Sequence, residues 1–135
     1  MPVITPTEPG ASSGFPEPTR MVDIVFPQYL NHHGNLFGGQ ALRMMDTAAF
    51  TAATRRARCT MMTVAVENVR FVAPVRHGEI VEMVATVVKT GRTSITVNVE
   101  MLAEALLSGI QRQCGTARFV LVAVDDQGRA TPIPS

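Results

Sequence analysis

The chain has 135 residues, of which 46% are hydrophobic, and a formal net charge of +1 at pH 7. This length and apolar content suit one domain with its own core, and the interspersed charges argue against binding to nucleic acid. Cys59 and Cys114 are far apart in the sequence and indicate neither a disulfide framework nor a zinc knuckle, which fits a reducing compartment.

Residues 1–20 are rich in Pro, Ser, Thr and Gly, and we expect a disordered or loosely docked tail that precedes a domain over residues 21–135. The tail has no apolar run typical of a secretory signal, and Glu8 and Glu17 argue against a transit peptide. No segment approaches the ~20 apolar residues needed to span a bilayer. We therefore expect a soluble, cytoplasmic protein without a membrane partner.

The next elements are a short strand at residues 21–26 and, after a glycine-rich turn, a helix at about residues 39–56. In this helix, apolar side chains recur every three or four positions, which is the spacing of one buried face. The members of this face are Ala41, Met44, Met45, Ala48, Ala49 and Ala52. The pattern predicts a core helix.

Asp46 is an isolated carboxylate on this helix. At about 100° per residue, it falls beside Leu42 and Phe50 on an apolar flank. A carboxylate there must be paired, hydrogen-bonded or neutralised, because burying an unpaired charge is costly, and such positions often carry function. It is either a catalytic group or a structural residue, such as a rim side chain or the partner of an arginine.

The turn before the helix contains Gly38 and Gly39. Glycines let a ligand approach the backbone closely, and the free N–H groups of a first helical turn can hold a carbonyl oxygen or a phosphate. A polarising site and a carboxylate about two turns apart form a plausible catalytic constellation.

Sharper motifs are excluded. Gly34 and Gly39 have the spacing of a phosphate-binding P-loop, but Gln40 stands where that loop requires lysine. The chain has no G-x-S-x-G nucleophile elbow and no H-E-x-x-H zinc helix. Of the three histidines, His32 and His33 are adjacent, and His77 precedes Gly78 in a predicted turn, so we expect no metal site.

Four strands are predicted after the helix. They cover residues 60–72, 79–88, about 95–101 and 111–124, with Pro/Gly or polar turns between them. In the third of these strands, apolar and polar residues alternate, which predicts one wet face. One helix and a mostly consecutive antiparallel sheet give an α+β architecture in which the sheet wraps the helix. The exposed edges of so small a sheet predict a symmetric dimer.

Four motifs, in order and at fitting intervals, resemble the hotdog-fold acyl-CoA thioesterases, specifically the bacterial short acyl-CoA hydrolase group related to the cytosolic acyl-CoA hydrolases. The resemblance covers residues 21 to about 132. The motifs are Asn31-x-x-Gly34-x-x-Phe37-Gly38-Gly39, then Met45-Asp46, then Val64-Ala65-Val66 with Phe71-x-x-Pro74-Val75-x-x-Gly78-Glu79, and finally Val88-Lys89-Thr90-Gly91-Arg92-Thr93-Ser94.

The resemblance implies hydrolysis of acyl-CoA thioesters, with Asp46 as the catalytic acidic residue. Asp46 would act as a general base on water or attack the thioester itself, and we favour the general base. Backbone N–H groups near Gly38 and Gly39 would hold the oxyanion, and Asn31 would orient the thioester or the water. Because family sites lie between subunits, Asn31 and Asp46 can come from different chains.

The resemblance also places Lys89, Arg92, Thr93 and Ser94 near the CoA end of the substrate. Without it, Lys89 and Arg92 are equally well explained as the charged tip of a hairpin. No cofactor is expected, because CoA is part of the substrate and product. The expected partners are the acyl-CoA substrate and further copies of the chain, as a homodimer or as a hexamer formed by a trimer of dimers.

Two departures from the family pattern are present. Asn35 stands where many relatives have Asp or Thr, and Thr47 stands where an acidic residue often follows the aspartate. The alternative function is a non-catalytic hotdog module that binds acyl-CoA. A dehydratase of the same fold is not favoured, because the expected pair of histidine and acidic residue is missing from the helix.

Overall fold

The computed structural model describes residues 17–134 as one helix packed on a five-stranded antiparallel sheet. The elements are β1 (Thr19–Ile24), a 3-10 turn (Pro27–Tyr29), α1 (Gly38–Ala57), β2 (Met61–Phe71), β3 (Ile80–Thr90), β4 (Ser94–Glu104) and β5 (Gln111–Ala123). The predicted order of strand, helix and four strands is confirmed, as is the α+β hotdog architecture.

Strand β1 begins earlier than the predicted boundary at residue 21, because Thr19 pairs with Ala85 and is buried. Residues 1–16 of the predicted tail lie outside the described residues. No helix among residues 17–134 is long and apolar enough to cross a membrane.

The sheet order is β1-β3-β4-β5-β2, so the outer strands are β1 and β2. The predicted alternation in β4 is confirmed: Ile95, Val97, Val99 and Met101 are at most 2% exposed and face the helix side of the core. Helix α1 lies against this face through a stripe of small side chains, in which Ala41, Ala48 and Ala49 are buried with Met45. The alanines allow a close approach of helix and sheet.

Met44 was predicted to lie in the buried face, and it packs against the core there. Its side chain is only half-buried and lines a groove between α1 and β1, together with Met21. The groove lies where β1, an edge strand, leaves the flank of the helix uncovered.

Helix α1 is capped at only one end. At the C-terminus, Arg58 adopts a left-handed conformation with φ of 51°, and its N–H donates to the Thr54 carbonyl. At the N-terminus, Phe37 is extended and no side chain caps the first turn. The first N–H groups of α1 are therefore open to a ligand.

Strand β2 is an edge strand with an uncovered apolar surface. Met62, Val64 and Val66 are 47%, 54% and 39% exposed, and Phe71 at the far end is 47% exposed. Its pairing with β5 is interrupted between Thr63 and Ala65 and again between Glu67 and Arg70. Long apolar edges of this kind are usually covered by another chain.

Candidate active site

The segment before α1, residues 30–37, is called the Asn31 loop here. The Asn31 side-chain oxygen Oδ1 accepts hydrogen bonds from the N–H groups of His33 at 2.9 Å and Asn35 at 3.2 Å. Its own N–H donates to the Asn35 carbonyl at 2.8 Å. Gly34 has φ of +81°, a conformation that favours glycine. The carbonyl half of the Asn31 amide is thus committed to its own loop, which leaves the Nδ2 group to donate to a ligand.

A cavity of about 350 Å³ lies beside this loop. Asn31 and Gly38 line it, together with the apolar side chains of Phe71, Val75 and Met101. A Cβ atom on Gly38 would lie 3.6 Å from the Phe71 ring, and one on Gly39 would lie 3.2 Å from the Phe37 ring. Because both residues are glycine, neither has a side chain of its own over the N–H groups at this end of the helix. The structure therefore brings Asn31 and Gly38 to one cavity.

Asp46 is half-buried and hydrogen-bonded. The Thr63 hydroxyl, on β2, donates to Asp46 Oδ1 at 2.8 Å. The bond fixes the carboxylate between helix and edge strand and leaves Oδ2 for a water. Of the roles left open by the sequence, pairing with an arginine is not observed within residues 17–134. Sequence reasoning missed Thr63, although a hydroxyl residue in an otherwise apolar strand segment was a usable signal.

Asp46 does not lie beside the Gly38 end of the helix. The two residues are eight positions apart, or about 12 Å along a helix axis with a rise of 1.5 Å per residue. One carbonyl carbon cannot be within reach of both a water on Asp46 and the first N–H groups of the same helix. Within a single chain, Asp46 and the N–H groups at the Gly38 end of α1 are therefore too far apart to act on the same carbonyl carbon.

The β3–β4 hairpin tip carries Lys89 and Arg92, both exposed. Its backbone is tied to the start of β2: the Thr93 carbonyl accepts from the Ala123 N–H at 2.8 Å, and Ala123 pairs with Met61. The Ser94 hydroxyl lies against Gly91, where a Cβ atom would approach it to 2.9 Å. The tip therefore stands at the Met61 end of β2, far from the cavity at the Phe71 end.

The loop between β2 and β3, residues 72–79, forms the wall of the cavity and is called the β2–β3 loop. Glu79 in this loop forms a bidentate ion pair with Arg112 of β5, with N···O distances of 2.6 and 2.7 Å. The hydrogen bonds from Arg112 hold the pKa of the Glu79 carboxyl below its usual value, and the carboxylate in turn raises the pKa of Arg112. Neighbouring Cys114 is buried, and burial raises the pKa of its thiol. The sequence analysis did not single out this pair.

Among residues 17–134, no group of three or more His, Cys, Asp or Glu side chains is arranged to hold a metal ion. His32 and His33 stack on each other with ring centroids 4.0 Å apart.

The chain is similar in sequence and structure to known acyl-CoA hydrolases. The acyl-CoA thioester hydrolase YciA of Salmonella typhimurium is 34% identical over 114 residues, covering 82% of this chain and 86% of its own. An acyl-CoA hydrolase from Bacillus cereus superposes with a TM-score of 0.82 at 36% identity, over 87% of this chain and 71% of its own. A hexameric acyl-CoA thioesterase superposes with a TM-score of 0.83 at 32% identity, over 87% of this chain and 75% of its own.

The acyl-CoA hydrolase of Staphylococcus aureus, solved with butyryl-CoA and CoA, superposes with a TM-score of 0.81 at 28% identity, over 87% of this chain and 72% of its own. Further structures of that protein carry single alanine substitutions at an aspartate, at an asparagine 15 positions before it and at a threonine 17 positions after it. The family described as Thioesterase superfamily matches residues 33–110. This chain is a member of the thioesterase superfamily.

Proposed function

We propose that this protein hydrolyses acyl-CoA thioesters to free CoA and a carboxylic acid. The observation that carries the proposal is the Asp46–Thr63 hydrogen bond of 2.8 Å, with Asn31 placed 15 residues before the aspartate. An asparagine, an aspartate and a threonine with the same two spacings were chosen for substitution in the acyl-CoA hydrolase of Staphylococcus aureus. The match supports a functional role for all three side chains here.

The complete site forms between two copies of the chain. Antiparallel pairing of β2 with the partner's β2 about a twofold axis covers the apolar edge and continues the sheet. In this arrangement, the Phe71 end of one strand lies beside the Met61 end of the other. The Asn31 loop and Gly38 of one chain then approach Asp46 and Thr63 of its partner, so that the halves separated by about 12 Å within one chain are joined.

The reaction follows from these groups. Asp46 Oδ2 accepts a proton from a water whose oxygen adds to the thioester carbonyl carbon. The N–H groups of Gly38 and Gly39 stabilise the oxyanion, aided by the positive end of the helix dipole, and the Asn31 Nδ2 group orients the thioester. The tetrahedral intermediate then collapses with cleavage of the C–S bond, and the thiolate of CoA leaves and takes up a proton. Direct attack by Asp46 would instead pass through an anhydride.

The CoA phosphates bind at the hairpin tip. In the dimer, Lys89 and Arg92 come from the chain that supplies Asp46, because the tip is tied to the Met61 end of β2. The hydroxyls of Thr93 and Ser94 lie at the same tip. Two exposed cations at one end of the site suit a ligand with phosphates at one end and an acyl group at the other.

The dimer is the minimal unit, and a trimer of dimers is its further assembly, in line with the hexameric relative. The reaction needs no cofactor, since CoA belongs to the substrate and product, and we place it in the cytoplasm.

The test is thiol release from acyl-CoAs of graded chain length. We expect turnover by the unaltered chain and a loss of about 10³-fold or more in Asp46→Asn, because the amide cannot act as a base. Asp126→Asn, at an exposed aspartate outside the site, is the matched control and keeps full activity. Stoichiometric acyl-CoA binding without thiol release would favour the non-catalytic binding module instead, and full activity in Asp46→Asn would exclude the proposed chemistry.

A further inference from the structure

The β2–β3 loop is held at two points by one side chain. Arg112 reaches from β5, and its Nη2 group donates both to Glu79 Oε1 and to the Pro74 carbonyl, each at 2.7 Å. Its Nη1 group donates to Glu79 Oε2 at 2.6 Å. Glu79 Oε1 also accepts from the Arg76 N–H at 2.7 Å. The ion pair therefore fixes Pro74, Arg76 and Glu79 relative to the sheet.

The β2–β3 loop is in turn bonded to the Asn31 loop through the backbone. The Leu36 N–H donates to the Val75 carbonyl at 2.7 Å, and Asn35 forms an isolated β-bridge with Arg76. Leu36 lies two residues before Gly38, and Asn35 is the residue that closes the hydrogen-bonded turn of Asn31. A shift of the β2–β3 loop must move both.

We propose that the ion pair of Arg112 and Glu79 positions Asn31 and the Gly38 end of α1 for catalysis, acting through the β2–β3 loop. This inference rests on the proposed thioesterase function. The side chains touch no reacting atom, so Arg112 and Glu79 are positioning residues. A displacement of about 1 Å in an oxyanion site lowers turnover far more than it lowers binding, because the interaction matters most in the transition state.

The chemistry requires arginine at this position. A guanidinium presents several N–H donors in one plane and can serve Glu79 and Pro74 together, whereas the single ammonium of lysine cannot reproduce that fork. Arg112→Lys therefore keeps the charge and loses the clamp. It is the more informative variant, because it is expected to disturb folding less than Arg112→Gln does.

The chain contains a matched control pair. Arg20 of β1 and Glu82 of β3 also join two segments through an ion pair, at 2.8 Å. Glu82 lies between the buried Val81 and Met83, so the pair stands on the solvent-facing side of the sheet. Arg20→Lys weakens an ion pair without touching the site. It reports the general effect of such a change on activity and stability.

The experiment compares kcat and KM for a short acyl-CoA in Arg112→Lys, Arg20→Lys and the unaltered chain, each checked for its assembled state. We expect kcat to fall about tenfold or more in Arg112→Lys, with KM within about threefold and the assembly unchanged, and no change in Arg20→Lys. When Arg112→Lys is added to a chain that already carries Asn31→Ala, kcat should fall by less than a further factor of about three. Both changes disable the same loop, so their effects do not multiply. Amide hydrogen exchange at Leu36 should accelerate only in Arg112→Lys.

A wild-type kcat in Arg112→Lys would overturn the inference, as would a loss that multiplies fully with that of Asn31→Ala. Unchanged exchange at Leu36 would also overturn it, because the loop would then be held by other contacts. If the unaltered chain releases no thiol at all, the proposed function fails, and the Leu36 exchange still decides whether Arg112 holds the loop.

Discussion

Thr63 donates a hydrogen bond of 2.8 Å to Asp46 and thereby joins the middle of α1, the only α-helix in residues 17–134, to an edge strand of the sheet. The contact fixes one carboxylate oxygen of Asp46, Oδ1. Any movement of β2, including its pairing with another chain, is transmitted to the proposed base.

Removing the Thr63 hydroxyl tests this contact. Thr63→Val keeps the β-branched shape and removes the donor, so we expect kcat to fall about 10- to 100-fold, since the carboxylate is no longer oriented. Thr63→Ser retains the hydroxyl and should stay within about fivefold of the unaltered chain. Steady-state kinetics on one acyl-CoA measure both. Equal losses in the two variants would assign the effect to packing.

Mixed dimers test the composite site. Asp46→Asn and Asn31→Ala chains are each expected to be nearly inactive alone. When they are co-expressed and randomly assembled, half of the dimers are mixed, and each mixed dimer contains one intact site, so activity should recover to about a quarter of the unaltered level. A site built within one chain would leave every site damaged, and the mixture would remain inactive.

The hairpin tip is tested with two substrates. Lys89→Glu and Arg92→Glu should raise KM for acyl-CoA about tenfold each with little change in kcat, because the lost contacts are made to the phosphates in ground and transition state alike. The KM for the matching acyl-pantetheine, which has no phosphates, should not change. If KM changes for neither substrate, these residues are only the charged tip of a hairpin, and an equal rise for both substrates would show that they do not act through the phosphates.

The Glu79–Arg112 pair predicts a pH dependence of stability. Because the pKa of Glu79 is held below its usual 4.5 in the folded chain, the pair contributes stability above that value and loses it as the pH falls through the folded pKa. At neutral pH, we expect the free energy of unfolding of the unaltered chain to be about 1 kcal/mol higher than that of Glu79→Gln. The difference is modest because Arg112 is partly exposed to solvent. Urea unfolding from pH 7 to pH 3 should show the two curves converging in acid.

Local patterns in the sequence predicted much of the fold. The three- and four-residue spacing located α1 to within a residue at each end, and the alternation in β4 identified its buried face. Both signals are local, because the side chains that share a face are close in sequence. Met44 is only partly buried, because its exposure depends on the position of β1 beside the helix, a long-range contact that local periodicity does not contain.

The site was predicted less completely. The sequence singled out Asp46, Asn31 and Gly38, but neither Thr63 nor Arg112. Contacts such as that of Arg112 with Glu79 join residues 33 positions apart, and they depend on strand order, which local periodicity does not contain. The roles assigned to Asp46, Asn31, Gly38, Gly39, Lys89, Arg92, Thr93 and Ser94 remain predictions.

The separation of Gly38 and Asp46 by eight positions in one chain has a consequence for how activity depends on protein concentration. Under the proposed arrangement, an isolated chain owns two unmatched half sites and cannot turn over substrate, so specific activity should vanish on dilution below the dissociation constant of the dimer and return on concentration. Twofold symmetry creates the two sites of a dimer in the same event. In that arrangement, catalysis is acquired only by association, because the length of one helix segment keeps the two groups apart in a single chain.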